Sequence, residues 1–184
     1  MFNSIRFTVL ALILLTLPQV AFSEAHDTLL EDPDGNQHSL DEYIGKGKWV
    51  VLNVWGTACP YCRDELYDLT SFHERHHDKD AIVLGLTLDW PSFGFPDKDR
   101  LANFAIDYFI DYPLLMIDAE LASKVIGKPV NMIPLTFVYN PEGELVLRIN
   151  GVVTETMLEK VIANENSSYR IQWSEVIPPE FKPE

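Results

Sequence analysis

The chain has 184 residues, 47% of them hydrophobic, and a formal net charge of −14 at neutral pH. This length is enough for one domain with a sizeable hydrophobic core. The strong negative charge argues against a protein that binds nucleic acids or anionic membrane surfaces.

Residues 1–23 have the pattern of a secretory signal peptide. Arg6 is their only charged residue, and the 15-residue stretch over 7–21 that follows is largely apolar and contains Pro18. A membrane-spanning helix needs about 20 apolar residues, so the stretch is short for an anchor. We expect cleavage before Glu24 and a periplasmic or otherwise exported protein, with an uncleaved membrane anchor as the alternative.

The remainder predicts one α/β domain over 24–163 and a tail over 164–184 that packs on the domain or trails from it. Short apolar runs indicate buried strands, and a helix between two of them indicates a parallel βαβ unit. The predicted elements, in chain order, are a hairpin around 32–36, strand 49–55, a helix ending near 77, strand 81–88, a loop over 89–97, a helix over 97–108, an extended segment over 113–117, a helix over 118–126, strands 135–139 and 144–150 in an antiparallel hairpin, and a helix over 154–163.

The only two cysteines, Cys59 and Cys62, lie where a predicted strand passes into a helix. Unpaired N–H groups and the helix dipole favour a thiolate at this place. Pro60 suits the first helical turn, which leaves Cys59 exposed and Cys62 one turn further in. The pattern therefore predicts a redox pair in which Cys59 attacks and Cys62 resolves the mixed disulfide.

Two other uses of the cysteine pair are weaker. A purely structural disulfide closing so short a loop would stabilise the fold little, because loop-closure stabilisation grows with loop length. A structural zinc site needs about four ligands, and the motif offers two.

The segment over 51–65, read Val-Leu-Asn-Val-Trp-Gly-Thr-Ala-Cys-Pro-Tyr-Cys-Arg-Asp-Glu, resembles the thioredoxin superfamily. More narrowly, it is similar to the exported TlpA/ResA-like branch, which includes the CcmG/DsbE proteins of cytochrome c maturation. The resemblance covers roughly 35–163 and includes the Ile-Pro-Leu-Thr-Phe segment over 133–137. It implies a thioredoxin-like fold, with a central mixed sheet flanked by helices, an N-terminal hairpin and a helical insertion. It also implies that the only redox group is the disulfide of Cys59 and Cys62, without a cofactor.

The resemblance assigns further site residues. Pro134 corresponds to a cis-proline facing the dithiol, which places the backbone of Ile133 beside Cys59 for pairing with an extended substrate. Glu65 matches the active-site glutamate of the family, whose raised pKa would help move the proton of Cys62. An ordinary exposed helix glutamate is the alternative for Glu65.

Residues around the motif complete the candidate set. Asn53 occupies the position of a buried aspartate in cytosolic thioredoxins, and because an amide cannot act as an acid or base, proton transfer shifts to Glu65 or water. Trp55 and Tyr61, together with Pro60, are candidate substrate-binding or structural residues. The family usually has tryptophan where this chain has Ala58.

The implied function is a periplasmic thiol–disulfide oxidoreductase that reduces protein disulfides. Apocytochrome c is the leading substrate class, a broader reductase role is close behind, and a membrane thiol–disulfide donor would re-reduce the protein. The alternative is a copper-binding module that uses the two cysteines and a histidine. His73, His76 and His77 have the i, i+3, i+4 spacing of ligands on one helix face, or they form a solvated helix end.

Overall fold

The computed structural model describes residues 27–88 and 98–165. The strands are β1 (Leu30–Glu31), β2 (Gln37–His38), β3 (Trp49–Trp55), β4 (Ala81–Thr87), β5 (Leu114–Met116), β6 (Leu135–Tyr139) and β7 (Leu145–Asn150). The helices are α1 (Pro60–His76), α2 (Lys98–Asp107), α3 (Ala119–Ile126) and α4 (Glu155–Glu165), with a 3-10 turn at Leu40–Glu42.

The strands form one mixed sheet in the order β2-β1-β5-β4-β3-β6-β7. β3, β4 and β5 are parallel neighbours, as the predicted βαβ unit requires, whereas β6 and β7 pair antiparallel. The predicted N-terminal hairpin is present as β1 and β2. The mixed sheet and the N-terminal hairpin are therefore confirmed.

Side chains along β3 point alternately to the two faces of the sheet, where two separate layers of the core lie. Trp49, Val51 and Trp55 belong to the cluster that packs against α1, α2 and α4. The even-numbered residues between them belong to the cluster under α3. Because successive side chains of a strand point to opposite faces, Asn53 lies on the α1 side of the sheet.

The helix ends follow the capping signals in the sequence. The Asp118 carboxylate accepts the N–H of Leu121 at 2.8 Å, and Gly127 ends α3 in the left-handed conformation, both as predicted. Thr154 Oγ1 accepts the N–H of Met157 at 3.3 Å at the start of α4. That helix continues past its predicted end at 163 to Glu165.

Three predictions fall outside the described residues: the signal peptide over 1–23, the loop over 89–97, and most of the tail. Within the described part, no helix is both long enough and apolar enough to span a membrane.

Candidate active site

The disulfide between Cys59 and Cys62 lies at the N-terminus of α1. Cys59 is the N-cap residue, and its Sγ accepts the N–H of Cys62 at 3.2 Å. Pro60 is the first helical residue, where a missing N–H costs no hydrogen bond. Cys62 is completely buried, whereas Cys59 is partly exposed. Of the two cysteines, only Cys59 is therefore accessible to a partner, and Cys62 lies further in, as the sequence predicted.

The loop before β6 faces this dithiol. The Ile133–Pro134 peptide bond is cis, as predicted, and Cys59 Sγ lies 4.0 Å from the carbonyl oxygen of Ile133. The Pro134 carbonyl accepts the N–H of Gly151 at 3.0 Å, which ties the loop to the residue after β7. The loop thus brings the backbone of Ile133 next to the exposed cysteine.

Two exposed apolar side chains are close in sequence to groups at the disulfide. Tyr61 in the first turn of α1 is 69% exposed, and Met132 on the proline loop is 50% exposed. Sequence reasoning singled out Tyr61 but missed Met132. Its position two residues before the cis-proline was the available signal.

Glu65 is fully buried, so the exposed-glutamate alternative is wrong. Its Oε1 accepts the Nδ2–H of Asn53 at 2.8 Å, and its Oε2 accepts the backbone N–H of Val153 at 2.9 Å. Burial raises the pKa of Glu65 to about 8, against the lowering effect of these two hydrogen bonds; the nearby Asp68 and Asp64 raise it further. A carboxyl group that is largely neutral at pH 7 therefore lies one turn after Cys62.

Asn53 connects this carboxyl group to the sheet. It is fully buried and directly opposite Thr136 in the antiparallel register of β3 and β6, and its Nδ2 donates to Thr136 Oγ1 at 3.0 Å. Its Oδ1 has no hydrogen-bond partner within the described residues. Thr136 was quoted within the motif without a role, and Val153 takes part only through its backbone, so no side-chain signal could identify it.

The model of the AhpC/TSA family matches residues 22–148 of this chain. The chain belongs to the AhpC/TSA family. The thiol-disulfide oxidoreductase ResA of Bacillus subtilis (strain 168) is 28% identical over 137 residues, which cover 74% of this chain and 70% of ResA.

Solved structures show the same likeness for this AhpC/TSA-family chain. A DsbF homologue from Corynebacterium diphtheriae has a TM-score of 0.62 at 30% identity, covering 74% of this chain and 82% of its own. A secreted thiol-disulfide isomerase from Corynebacterium glutamicum has a TM-score of 0.60 at 25% identity, covering 74% and 79%. The predicted thioredoxin-like fold and the predicted resemblance to ResA-like proteins are confirmed, and the chain is a thiol–disulfide oxidoreductase.

Two other residues near the motif of this AhpC/TSA-family chain support the fold. Trp55 is completely buried, and its ring packs against Phe104 with centroids 5.5 Å apart. It therefore belongs to the core rather than to the substrate surface. Arg63, which sequence reasoning did not single out, donates from Nε and Nη2 to the Thr57 carbonyl at 3.1 and 2.8 Å and so braces the loop before Cys59.

The three histidines at the end of α1 contact different groups of the chain. His73 Nδ1 accepts the N–H of Val83 at 3.1 Å, whereas His76 lies between the carboxylates of Asp80 (2.7 Å) and Glu159 (3.0 Å). His77 Nδ1 lies 3.1 Å from the carbonyl of His73. The rings do not converge on a common point, as a shared metal ion would require.

The distance along α1 also separates these histidines from the cysteines. At about 1.5 Å per residue, His73 lies roughly 16 Å and His76 roughly 21 Å beyond Cys62. Metal–ligand bonds are near 2 Å, so the cysteines and these histidines cannot bind one ion. In the described ranges, no group of three His, Cys, Asp or Glu side chains is placed to hold a metal.

Proposed function

We propose that this oxidoreductase reduces disulfides of protein substrates outside the cytoplasm, with Cys59 as nucleophile and Cys62 as resolving thiol. The observation that carries the proposal is the asymmetry of the pair. Cys59 is partly exposed beside the backbone of Ile133, and Cys62 is fully buried. An attacking thiolate must reach a substrate sulfur, whereas the resolving thiol needs to reach only Cys59.

The reaction begins with the reduced dithiol. The Cys59 thiolate attacks one substrate sulfur, the substrate S–S bond breaks, and the released substrate sulfur takes up a proton. Cys62 then loses its proton and attacks Cys59 Sγ, which releases the second substrate sulfur as a thiol. The substrate gains two electrons and two protons, and the protein is left with the Cys59–Cys62 disulfide.

Glu65 is the group that we assign to the proton of Cys62. Its pKa of about 8 lies near the working pH, so a fraction of the carboxyl groups is ionised and can accept the proton of Cys62. Glu65→Gln should raise the apparent pKa that governs resolution by Cys62. Stopped-flow measurement of mixed-disulfide resolution against pH tests this, and an unchanged profile removes Glu65 from the mechanism.

The substrate surface is apolar and includes backbone. Tyr61, two residues after Cys59, and Met132, the residue before Ile133, offer exposed side chains, and the Ile133 backbone is suited to pair with an extended segment. These features support unfolded or extended polypeptides as substrates. Within that class we propose apocytochrome c, on the resemblance to the CcmG/DsbE proteins, and a membrane thiol–disulfide protein as electron donor.

Export is supported by the signal-like pattern over 1–23 and by similarity to a secreted isomerase. N-terminal sequencing of the protein recovered from its native host tests the compartment. A chain that begins at Glu24 supports export with cleavage, whereas a chain that retains residues 1–23 in the cytosolic fraction contradicts it.

Trapping tests the proposed reaction. In Cys62→Ser, the mixed disulfide on Cys59 cannot be resolved, so substrates should accumulate as covalent complexes that dithiothreitol releases. The matched control is the double variant Cys59→Ser/Cys62→Ser, which should trap nothing. Identification of apocytochrome c among the partners supports the narrow substrate assignment, and a varied set of proteins supports a broad reductase. Absence of any complex, with no reduction of protein disulfides by the wild type, would refute the proposal.

A further inference from the structure

The hydrogen bonds around Glu65 suit only one of its two protonation states. In the arrangement described, both carboxyl oxygens accept N–H groups, from Asn53 and from Val153, which is what an ionised carboxylate requires. A protonated Glu65 carries an O–H that needs an acceptor. Asn53 Oδ1 is an acceptor in the same network; it is on the far side of its amide and has no partner within the described residues.

A half-turn of the Asn53 amide exchanges the positions of Oδ1 and Nδ2. Oδ1 then takes the place now held by Nδ2, which is 2.8 Å from Glu65 Oε1 and 3.0 Å from Thr136 Oγ1. The Glu65 O–H can donate to it, and so can the Thr136 hydroxyl, because a hydroxyl both donates and accepts. The Val153 N–H continues to donate to Oε2 in both arrangements.

The half-turn is favoured when Glu65 is protonated. With the proton on Oε1, the unturned amide sets an N–H against the Glu65 O–H, and Asn53 Oδ1 is buried without a partner. After the half-turn, Oδ1 accepts from the Glu65 and Thr136 hydroxyl groups, and the two N–H groups of the amide lack partners. The half-turn is favoured because it replaces a contact between two donors by two hydrogen bonds from hydroxyl groups. When Glu65 is ionised the preference reverses, since the turned amide would point its oxygen at a carboxylate.

We propose that the Asn53 amide reverses its orientation whenever Glu65 gains or loses its proton, with the Thr136 hydroxyl changing from acceptor to donor. Asn53 and Thr136 are thus positioning residues that hold Glu65 in place in both states. The use of this switch in catalysis rests on the proposed role of Glu65 as the proton acceptor of Cys62. The reversal itself depends only on the titration of Glu65.

Other titratable groups also face Glu65. Asp64 and Asp68 on the same helix disfavour its ionised form. Tyr112, from the segment before β5, is also buried, and Glu65 contributes to raising its pKa. None of these groups is hydrogen-bonded to the Asn53 amide, so their effect is on the pH at which the reversal occurs rather than on whether it occurs.

Side-chain amide NMR of the oxidised protein tests the switch. At about pH 9, where Glu65 is mostly ionised, the Asn53 NH₂ protons should show nuclear Overhauser contacts to the Thr136 and Glu65 side chains. At about pH 6 these contacts should be lost. Asn140 is an internal control, because its Oδ1 accepts the Glu144 N–H at 2.7 Å and its amide should keep one orientation throughout.

Glu65→Gln provides the second arm. A glutamine amide donates an N–H where the protonated acid donates its O–H, so the Asn53 amide should be reversed at both pH values. Unchanged Asn53 contacts across the titration, or wild-type contacts retained in Glu65→Gln, overturn the inference. The measurement uses no substrate, so failed trapping in Cys62→Ser would refute the proposed function without affecting this result.

Discussion

Replacement of Glu65 by glutamine should remove a large part of the pH dependence of folding. The pKa of Glu65 is about 8 in the folded protein and 4.5 ordinarily, so the folded state binds this proton more tightly than the unfolded chain. The stability that depends on it is fully present below about pH 4.5 and is lost as pH rises through about 8. At 1.36 kcal/mol per pKa unit, the loss amounts to about 5 kcal/mol.

Urea unfolding of the oxidised protein at about pH 5 and about pH 9 measures this effect. The wild type should lose about 4 kcal/mol more than Glu65→Gln between the two pH values, because a small part of the full loss has already occurred at pH 5. Glu74→Gln is the matched control, because Glu74 is an exposed glutamate on the same helix and its replacement should leave the pH dependence unchanged. Equal pH dependence in the wild type and Glu65→Gln would refute the reasoning from burial.

Three further substitutions test other parts of the structure. Gly85→Ala should lower the free energy of unfolding by about 1–3 kcal/mol, because the added Cβ would lie 2.5 Å from a methyl of Leu114 and 3.0 Å from Trp55 Nε1. An unchanged urea midpoint would contradict this packing. His76→Gln should destabilise the protein near pH 6 and less at about pH 9. Burial lowers the pKa of His76, but its two carboxylate partners raise it above 6.5 overall, and the stabilisation is lost as pH rises through that raised value. A pH-independent difference in the urea midpoint would argue against a protonated ring. Met132→Ser should raise KM for protein disulfides and leave the rate with a small disulfide unchanged, so equal effects on both would remove Met132 from the partner surface.

The sequence predicted the elements whose causes are local. The βαβ unit follows from two apolar runs and the helix between them, and the caps at Asp118 and Thr154 follow from side chains that bond within a few residues. The cis-proline at 134 came from resemblance, because its neighbour across the site, Cys59, is 74 residues away in sequence from Ile133.

The environment of Glu65 could not be predicted in the same way. Its partner Val153 is 88 residues away and uses only its backbone N–H, and Asn53 meets Thr136 across 83 residues through strand register. The histidine spacing left two interpretations open for a related reason. Periodicity places His73, His76 and His77 on one side of the end of α1, but the partners of His73 and His76 come from β4, the turn after α1, and α4, which the local pattern does not contain.

The proposed proton transfer and the proposed partner recognition use different residues. The polar groups that hold Glu65 are buried and come from β3, β6 and the turn before α4, so substitution of surface residues leaves them in place. Among the described residues, Ala58 and Tyr61 flank Cys59 in sequence, and the loop before Pro134 approaches it through the Ile133 carbonyl. With alanine where the family usually has tryptophan, we expect the apolar contact area to come from the exposed Tyr61 and Met132 instead. Because both are side chains on the rim of the site, changes there can alter which partner is reduced while the thiol chemistry stays the same.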